Sequence, residues 1–360
     1  MDRYDRSWMD RVRDASRDNR FMRSGFVTGI VLIAVVGSFS LLWYAHIRGR
    51  LHKVVNSQYE AETANVVRVG GMELVHLNRL PMSTSMTPEF VSATLAPGLG
   101  MRVLQANLSV PTRGEVPLLV DSIDEATGNM LNDAMASAIR VTSAARTGTH
   151  WSEPVDLLAN RQVDQLTASS MPDGGGSDAL FKGIPLSGPT LENGIQTNVS
   201  ITLSGHAIDI AVIARNMAEQ PRAVTLSWQP HFRLPVNAST FTMIPPLVQN
   251  STGVIPAPVP LDRKDVNLLY TKLKHSYLGN GPEVQLRDET AGYILHLTAI
   301  SPSVKSLRVE SSQKENYVMT AFSTSSAEDG EDEQAVLNPG ESLQLRLRLE
   351  VSVISNYVNH

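Results

Sequence analysis

The stretch Leu343-Gln344-Leu345-Arg346-Leu347-Arg348-Leu349-Glu350-Val351-Ser352-Val353 alternates apolar and polar residues without a break. Successive side chains of a β-strand point to opposite faces, so this pattern predicts an antiparallel strand with one face buried and the other wet. Asn338-Pro339-Gly340, just before it, is a turn signal. Working back from that end, residues 293–300, 306–310 and 317–322 read as further strands rich in β-branched and aromatic residues. Residues 201–214 and 223–234 read as two strands joined by the polar turn RNMAEQP, and residues 91–110 as a hairpin around Pro97-Gly98. Helical periodicity is confined to the first 70 residues and to residues 123–145. The fold class expected is all-β, an antiparallel β-sandwich.

The other end of the chain has a different character. Residues 24–47 (SGFVTGIVLIAVVGSFSLLWYAHI) contain no Asp, Glu, Lys or Arg. About 20 apolar residues in a helix span a hydrocarbon layer roughly 30 Å thick, so this segment reads as one N-terminal transmembrane helix. Trp43 and Tyr44 at its far end suit the headgroup level. Before it stand Arg3, Arg6, Arg11, Arg13, Arg17, Arg20 and Arg23, and just after it only Arg48, Arg50 and Lys53. That asymmetry predicts a cytoplasmic N-terminus and a C-terminal domain beyond the membrane. The apolar run is too long, and its flank too bulky, for a cleaved signal peptide. The division expected is a cytoplasmic basic segment at 1–23, a single-pass helix of the inner membrane at 24–47, a stalk or linker at 48–87 that is mostly helical over 48–70, and a β-sandwich at 88–360 in the periplasm.

Composition excludes several kinds of chemistry. The chain has no cysteine, hence no disulfide, no thiolate nucleophile and no zinc–thiolate site. Its net charge is −5 with no basic stripe in the outer part, which argues against nucleic acid as a partner. There is no phosphate-binding glycine loop, no nucleophile elbow and no histidine pair at metal-ligand spacing. Residues 172–177 (PDGGGS), the proline-rich 254–260 and the acidic 328–333 read as surface loops. The acidic run lacks the alternating ligands and closing glutamate of a calcium loop, so it reads as a solvated face. No metal or cofactor is expected.

Five blocks, in order, resemble the aldose 1-epimerase (galactose mutarotase) superfamily. They are Ala96-Pro97-Gly98-Leu99-Gly100-Met101 with Leu104-Gln105, then residues 205–216 ending in Arg215-Asn216, then Leu226-Ser227-Trp228-Gln229-Pro230-His231-Phe232-Arg233-Leu234. The last two are Leu295-His296-Leu297-Thr298-Ala299-Ile300-Ser301-Pro302 and Leu337-Asn338-Pro339-Gly340-Glu341-Ser342. The third is similar to the family's G-W-H-P-Y-F-x-L and the fifth to its closing L-x-P-G-E-S. The resemblance implies a galactose mutarotase-like supersandwich. It also implies a site where a carboxylate takes the proton of a sugar's anomeric hydroxyl while a histidine protonates the ring oxygen.

The sequence departs from that family at the positions that carry the chemistry. The acid histidine aligns with Gln229, which has no proton to release near neutral pH. The family tyrosine aligns with His231, and the catalytic glutamate with Ala321. The substrate-holding Asn-Arg pair aligns with Ala145-Arg146 or, alternatively, with Asn160-Arg161, and the second sugar-holding histidine with Ser169-Ser170. A relocated acid–base pair such as His231 with Glu310 is a further alternative, with Glu315 flanking the same strand. Residues expected to contact a carbohydrate are Arg146, Trp228, Gln229, His231 and Arg233, although Trp228 and Phe232 also read as core residues of their strand.

Three readings follow. The first is a membrane-tethered periplasmic carbohydrate-binding domain that has lost epimerase catalysis, a pseudoenzyme. The second is a non-enzymatic accessory subunit of an envelope complex that docks other envelope proteins. The third is an active aldose 1-epimerase, an isomerase, with relocated groups.

Overall fold

The computed structural model describes residues 64–69, 72–79, 87–111, 113–120, 137–147, 149–159, 161–171, 174–181, 194–235, 240–249, 256–261, 265–275, 281–312, 316–326 and 334–354. The expected membrane helix at 24–47 and the acidic run at 328–333 lie outside these residues. Among the described residues, no helix is long and apolar enough to cross a membrane.

The first five strands are β1 (Ala64–Val69), β2 (Met72–Asn78), β3 (Glu89–Ala96), β4 (Arg102–Val110) and β5 (Gly114–Pro117). They form one antiparallel sheet in sequence order. The expected hairpin at Pro97-Gly98 is β3 and β4, joined through a 3-10 turn at Pro97–Leu99. A correction falls on the stalk at 48–87. β1 and β2 lie inside it, β2 pairs with β3, and Leu74, Val75 and Leu77 are buried, so this part of the chain is sheet rather than a helical spacer. The reason is apolar burial on both faces of β2, Leu74 on one and Val75 and Leu77 on the other, which local helix propensity does not outweigh.

The remaining strands are β6 (Ile139–Thr147), β7 (His150–Trp151), β8 (Val155–Asp156), β9 (Gln165–Met171), β10 (Gly174–Phe181), β11 (Ile195–Leu203), β12 (Ala207–Asn216), β13 (Arg222–Trp228) and β14 (His231–Arg233). After them come β15 (Phe241–Ile244), β16 (Val259–Pro260), β17 (Val266–Thr271), β18 (Glu283–Asp288), β19 (Tyr293–Ala299), β20 (Ser306–Ser312), β21 (Tyr317–Ser323), β22 (Ala335–Leu337) and β23 (Ser342–Val353). A second sheet runs β16-β15-β18-β19-β23-β12-β11-β10-β9. A third runs β17-β20-β21-β13-β6-β7, with β14 beside β21, β22 beside β13 and β8 beside β6.

β23 is the alternating stretch, and it lies centrally in the second sheet between β12 and β19. Leu345, Leu347, Leu349 and Val351 are buried, while Leu343 and Val353 at its ends are half-covered. On the opposite face Arg348 grips Asp209 of β12 through two hydrogen bonds, at 2.7 and 3.1 Å. One hydrophobic cluster gathers buried residues of all three sheets, among them Phe90, Leu347 and Trp228.

Several sequence expectations are refined. Residues 123–145 were expected to be helical, yet β6 occupies the described part and pairs with β13, which buries Val141 and Ala144. The run 201–214 is two strands, since β11 ends at Leu203 and the turn Ser204-Gly205-His206 starts β12. The RNMAEQP turn does not close a hairpin. It carries the chain from β12 in the second sheet to β13 in the third. The glycines of PDGGGS at 174–176 belong to β10, where the register with β9 and β11 overrides their turn preference. In the proline-rich 254–260, Val259–Pro260 forms β16 at a sheet edge, where proline's missing N–H costs least.

Two glycines with positive φ separate backbone strain from crowding. Gly281 has φ 127° and a Cβ there would come 1.9 Å from the carbonyl oxygen of Ala299. Gly114 has φ 76° with open space around the same position. Gly281→Ala is expected to lower unfolding free energy by about 3 kcal/mol or more, against about 1 kcal/mol for Gly114→Ala, measured as urea midpoint shifts at constant slope.

Candidate functional site

Alternation divides the third sheet into two faces. On β13, Leu226 and Trp228 enter the core, while Thr225 and Ser227 face the other way into a cleft of about 270 Å³. Arg140 and Thr142 of β6 line the same cleft. From the far side come Ser306 and Arg308 of β20 with Ala321 and Ser323 of β21. Gln229 and Gln334 add two amides.

Gln229 and Ala321 meet in this cleft because one register runs through both short strands. Ser227 pairs with Ser323, and His231 pairs with Met319, so Gln229 falls opposite Ala321. Pro230 interrupts the strand expected over 223–234, but its carbonyl accepts the Thr320 N–H at 3.1 Å and keeps the ladder in step. The two positions that the resemblance assigned to acid and base therefore share one cleft and carry an amide and a methyl.

Its chemistry is that of hydroxyls, two amides and two guanidinium groups. Arg140 donates from Nε to Asp156 at 2.9 Å, and Asp156 also accepts the N–H of Leu158 at 3.1 Å and of Ala159 at 3.3 Å. Arg308 pairs with Glu310 at 2.5 Å. Both cations are thus held by carboxylates at the rim. Among the described residues lining the cleft there is no carboxylate and no imidazole. Such a surface offers donors and acceptors to a polar ligand.

The other expected site residues disperse. Trp228 is 1% exposed and faces the core, so it is a packing residue and not a stacking platform. Arg146 shares β6 with Arg140 but lies six residues on, about 20 Å along the strand, and does not line the cleft. Arg161 pairs with Asp164 at 3.3 Å, and Asn160 is outside the described residues. Ser169 and Ser170 lie on β9, at the edge of the second sheet, away from the strands that carry Gln229.

His231 is buried, with its ring stacked on Tyr317 at 4.5 Å between centroids, and its backbone N–H donates to the Ser137 hydroxyl at 3.1 Å. Met319 stands between His231 and Glu310 in the register, leaving two strand spacings, about 10 Å, between their backbones. That is beyond the hydrogen-bond reach of an acid–base couple, and Glu315 is outside the described residues. Arg233 is exposed and lines a different cavity, considered below.

Arg140, Thr142, Ser227, Arg308 and Ser323 were not singled out from sequence. Their signal was present as polar residues at every second position opposite an apolar face, but it does not say which polar faces converge.

A galactose mutarotase-like protein from Clostridium acetobutylicum aligns over 81% of this chain and 98% of its own, with TM-score 0.58 and 12% identity. A GalM/aldose epimerase homologue from C. elegans aligns over 73% and 96%, with TM-score 0.52 and 11% identity. A galactose mutarotase-like protein from Lactobacillus casei covers 76% and 98%, with TM-score 0.50 and 10% identity. No protein-family model and no curated protein matches the sequence. The chain has the galactose mutarotase-like fold, as the resemblance implied. At these identities the likeness establishes the architecture.

Trp228→Ala is expected to cost about 3–5 kcal/mol of unfolding free energy, as for a buried large aromatic, and Gln229→Ala less than about 1 kcal/mol. Equal urea midpoints for the two variants would contradict the assignment of Trp228 to the core.

Proposed function

We propose that this protein is a membrane-tethered carbohydrate-binding domain of mutarotase-like fold that does not interconvert anomers. The observation that carries this reading is the placement of Gln229 and Ala321 together in a cleft with a polar lining. General acid–base catalysis of ring opening needs two titratable groups on either side of the sugar's C1–O5 unit. An amide and a methyl supply neither. Hydroxyls from four strands, with Gln229, Arg140 and Arg308, are suited to hold a polyhydroxylated ring by direct and water-mediated hydrogen bonds.

In this reading residues 24–47 are a single-pass helix of the inner membrane, the arginine-rich 1–23 stay in the cytoplasm, and the β domain is periplasmic. The support is the apolar length and the arginine asymmetry. An enzyme acting on freely diffusing sugars gains little from a tether. A binding domain gains a fixed location.

Two measurements test the reading. Purified full-length protein should leave the optical mutarotation of freshly dissolved α-glucose and α-galactose at the buffer rate, and a catalysed rate would overturn the loss of catalysis. Across a sugar panel, a ligand at a hundred times its dissociation constant should stabilise the protein by about 2.7 kcal/mol, seen as a raised melting temperature. No shift with any sugar would reject carbohydrate binding.

Topology can be read separately, because the chain has no cysteine and a single introduced thiol reports alone. In intact cells with a permeabilised outer envelope, a membrane-impermeant maleimide should label Val336→Cys, at a position 48% exposed, and spare Asp10→Cys. The reverse pattern would invert the orientation.

A further inference from the structure

The second cavity, about 220 Å³, opens where the three sheets meet. β5 contributes from the first sheet, β14 from the third, and the turn between β18 and β19 from the second. Its polar lining is Arg113, Arg233, Asp288, Thr290 and Tyr293. It is smaller than the Gln229–Ala321 cleft and suits one compact group.

The charges in it do not balance. Asp288 is 3% exposed, and its carboxylate accepts the Ala291 N–H at 2.8 Å, which commits it to the tight turn before β19. Arg113 donates to the Thr290 carbonyl at 3.0 Å and forms no ion pair among the described residues. Neither does Arg233, whose backbone N–H is anchored at 2.8 Å to the Leu118 carbonyl while its side chain is exposed. Two guanidinium groups thus face one carboxylate that is already engaged. This contrasts with Arg140, Arg308 and Arg348, each of which has a carboxylate partner.

Tyr293 adds a donor. Burial first, and then the negative charge of Asp288, push its phenol up, against an opposing effect of Arg113, so the hydroxyl keeps its proton at working pH. An arginine fork matches the planar or tetrahedral oxygens of a carboxylate, sulfate or phosphate through paired N–H donors.

We propose that this second cavity binds a small oxyanion group between Arg113 and Arg233. The group is a phosphate, sulfate or carboxylate, either as a free ion or as the acidic substituent of a larger ligand. The site is distinct from the Gln229–Ala321 cleft and does not depend on sugar binding there.

The test uses full-length protein and three probes, inorganic phosphate, sulfate and glucuronate, with potassium chloride at matched ionic strength as reference. A saturable rise in melting temperature with at least one probe, absent with chloride, is expected. Arg113→Gln and Arg233→Gln should each raise the apparent dissociation constant of that probe tenfold or more. Arg233→Lys, which keeps the charge but loses the fork, should fall between them and the parent. Arg346→Gln, an exposed change elsewhere, should have no effect. Tighter binding of glucuronate than of both inorganic ions would mark a carboxylated ligand as the source, and the opposite order a free or phosphoryl oxyanion. An equal shift with chloride, or unchanged affinity in both glutamine variants, would overturn the proposal. Since Arg113 and Arg233 are exposed, their replacement should leave the ligand-free melting temperature near the parent value.

Discussion

Leu345, Leu347 and Leu349 of β23 stand in register with Val212, Ile210 and Ile208 of β12, and Leu349 also faces Leu297 of β19. A slip of one residue would turn Arg346, Arg348 and Glu350 into the core and all these leucines into water. Each buried leucine contributes about 1.5–3 kcal/mol, and an unpaired buried charge costs several more, so a one-residue slip is strongly disfavoured. The other strands of the second sheet are built out from this pair of ladders. On the wet face, the two-pronged contact from Arg348 to Asp209 is compatible with that same register alone.

The same period of two decides what the third sheet can do. Its Leu226, Trp228 and Phe322 face inward and close the hydrophobic cluster, which frees Ser227, Gln229, Ala321 and Ser323 to line a cleft. Neighbours in sequence thus have opposite roles, and Trp228 beside Gln229 is the clearest case. The cleft and the core are two faces of one sheet, so a polar pocket persists without loss of packing. Gln229 and Ala321, where the resemblance places a histidine and a glutamate, give this cleft an amide and a methyl within its polar walls.

Arginine placement differs between the two cavities in a way that composition conceals. In the cleft, Asp156 and Glu310 fix Arg140 and Arg308 at the rim and neutralise them, which suits an uncharged polar ligand. Where the three sheets meet, Arg113 and Arg233 share a space with a carboxylate already bound to its own turn. A net charge of −5 over the whole chain predicts neither arrangement.

Local periodicity determined what depends only on neighbours along the chain. The alternation of β23, the hairpin at Pro97-Gly98 and the all-β class were legible because a strand's two faces are written every second residue. Resemblance added the fold and the expectation that Gln229 and Ala321 share one site. Tertiary structure decided what depends on partners far away in sequence. It drew β1 and β2 out of an expected stalk, sent the chain from β12 to a different sheet, turned Trp228 inward, kept Arg146 from the cleft, and separated His231 from Glu310 by Met319. Sequence marks which residues share a face of one strand. Which faces then meet depends on hydrogen-bonded register between strands far apart in sequence, as Ser227 with Ser323 and Ala207 with Glu350 show.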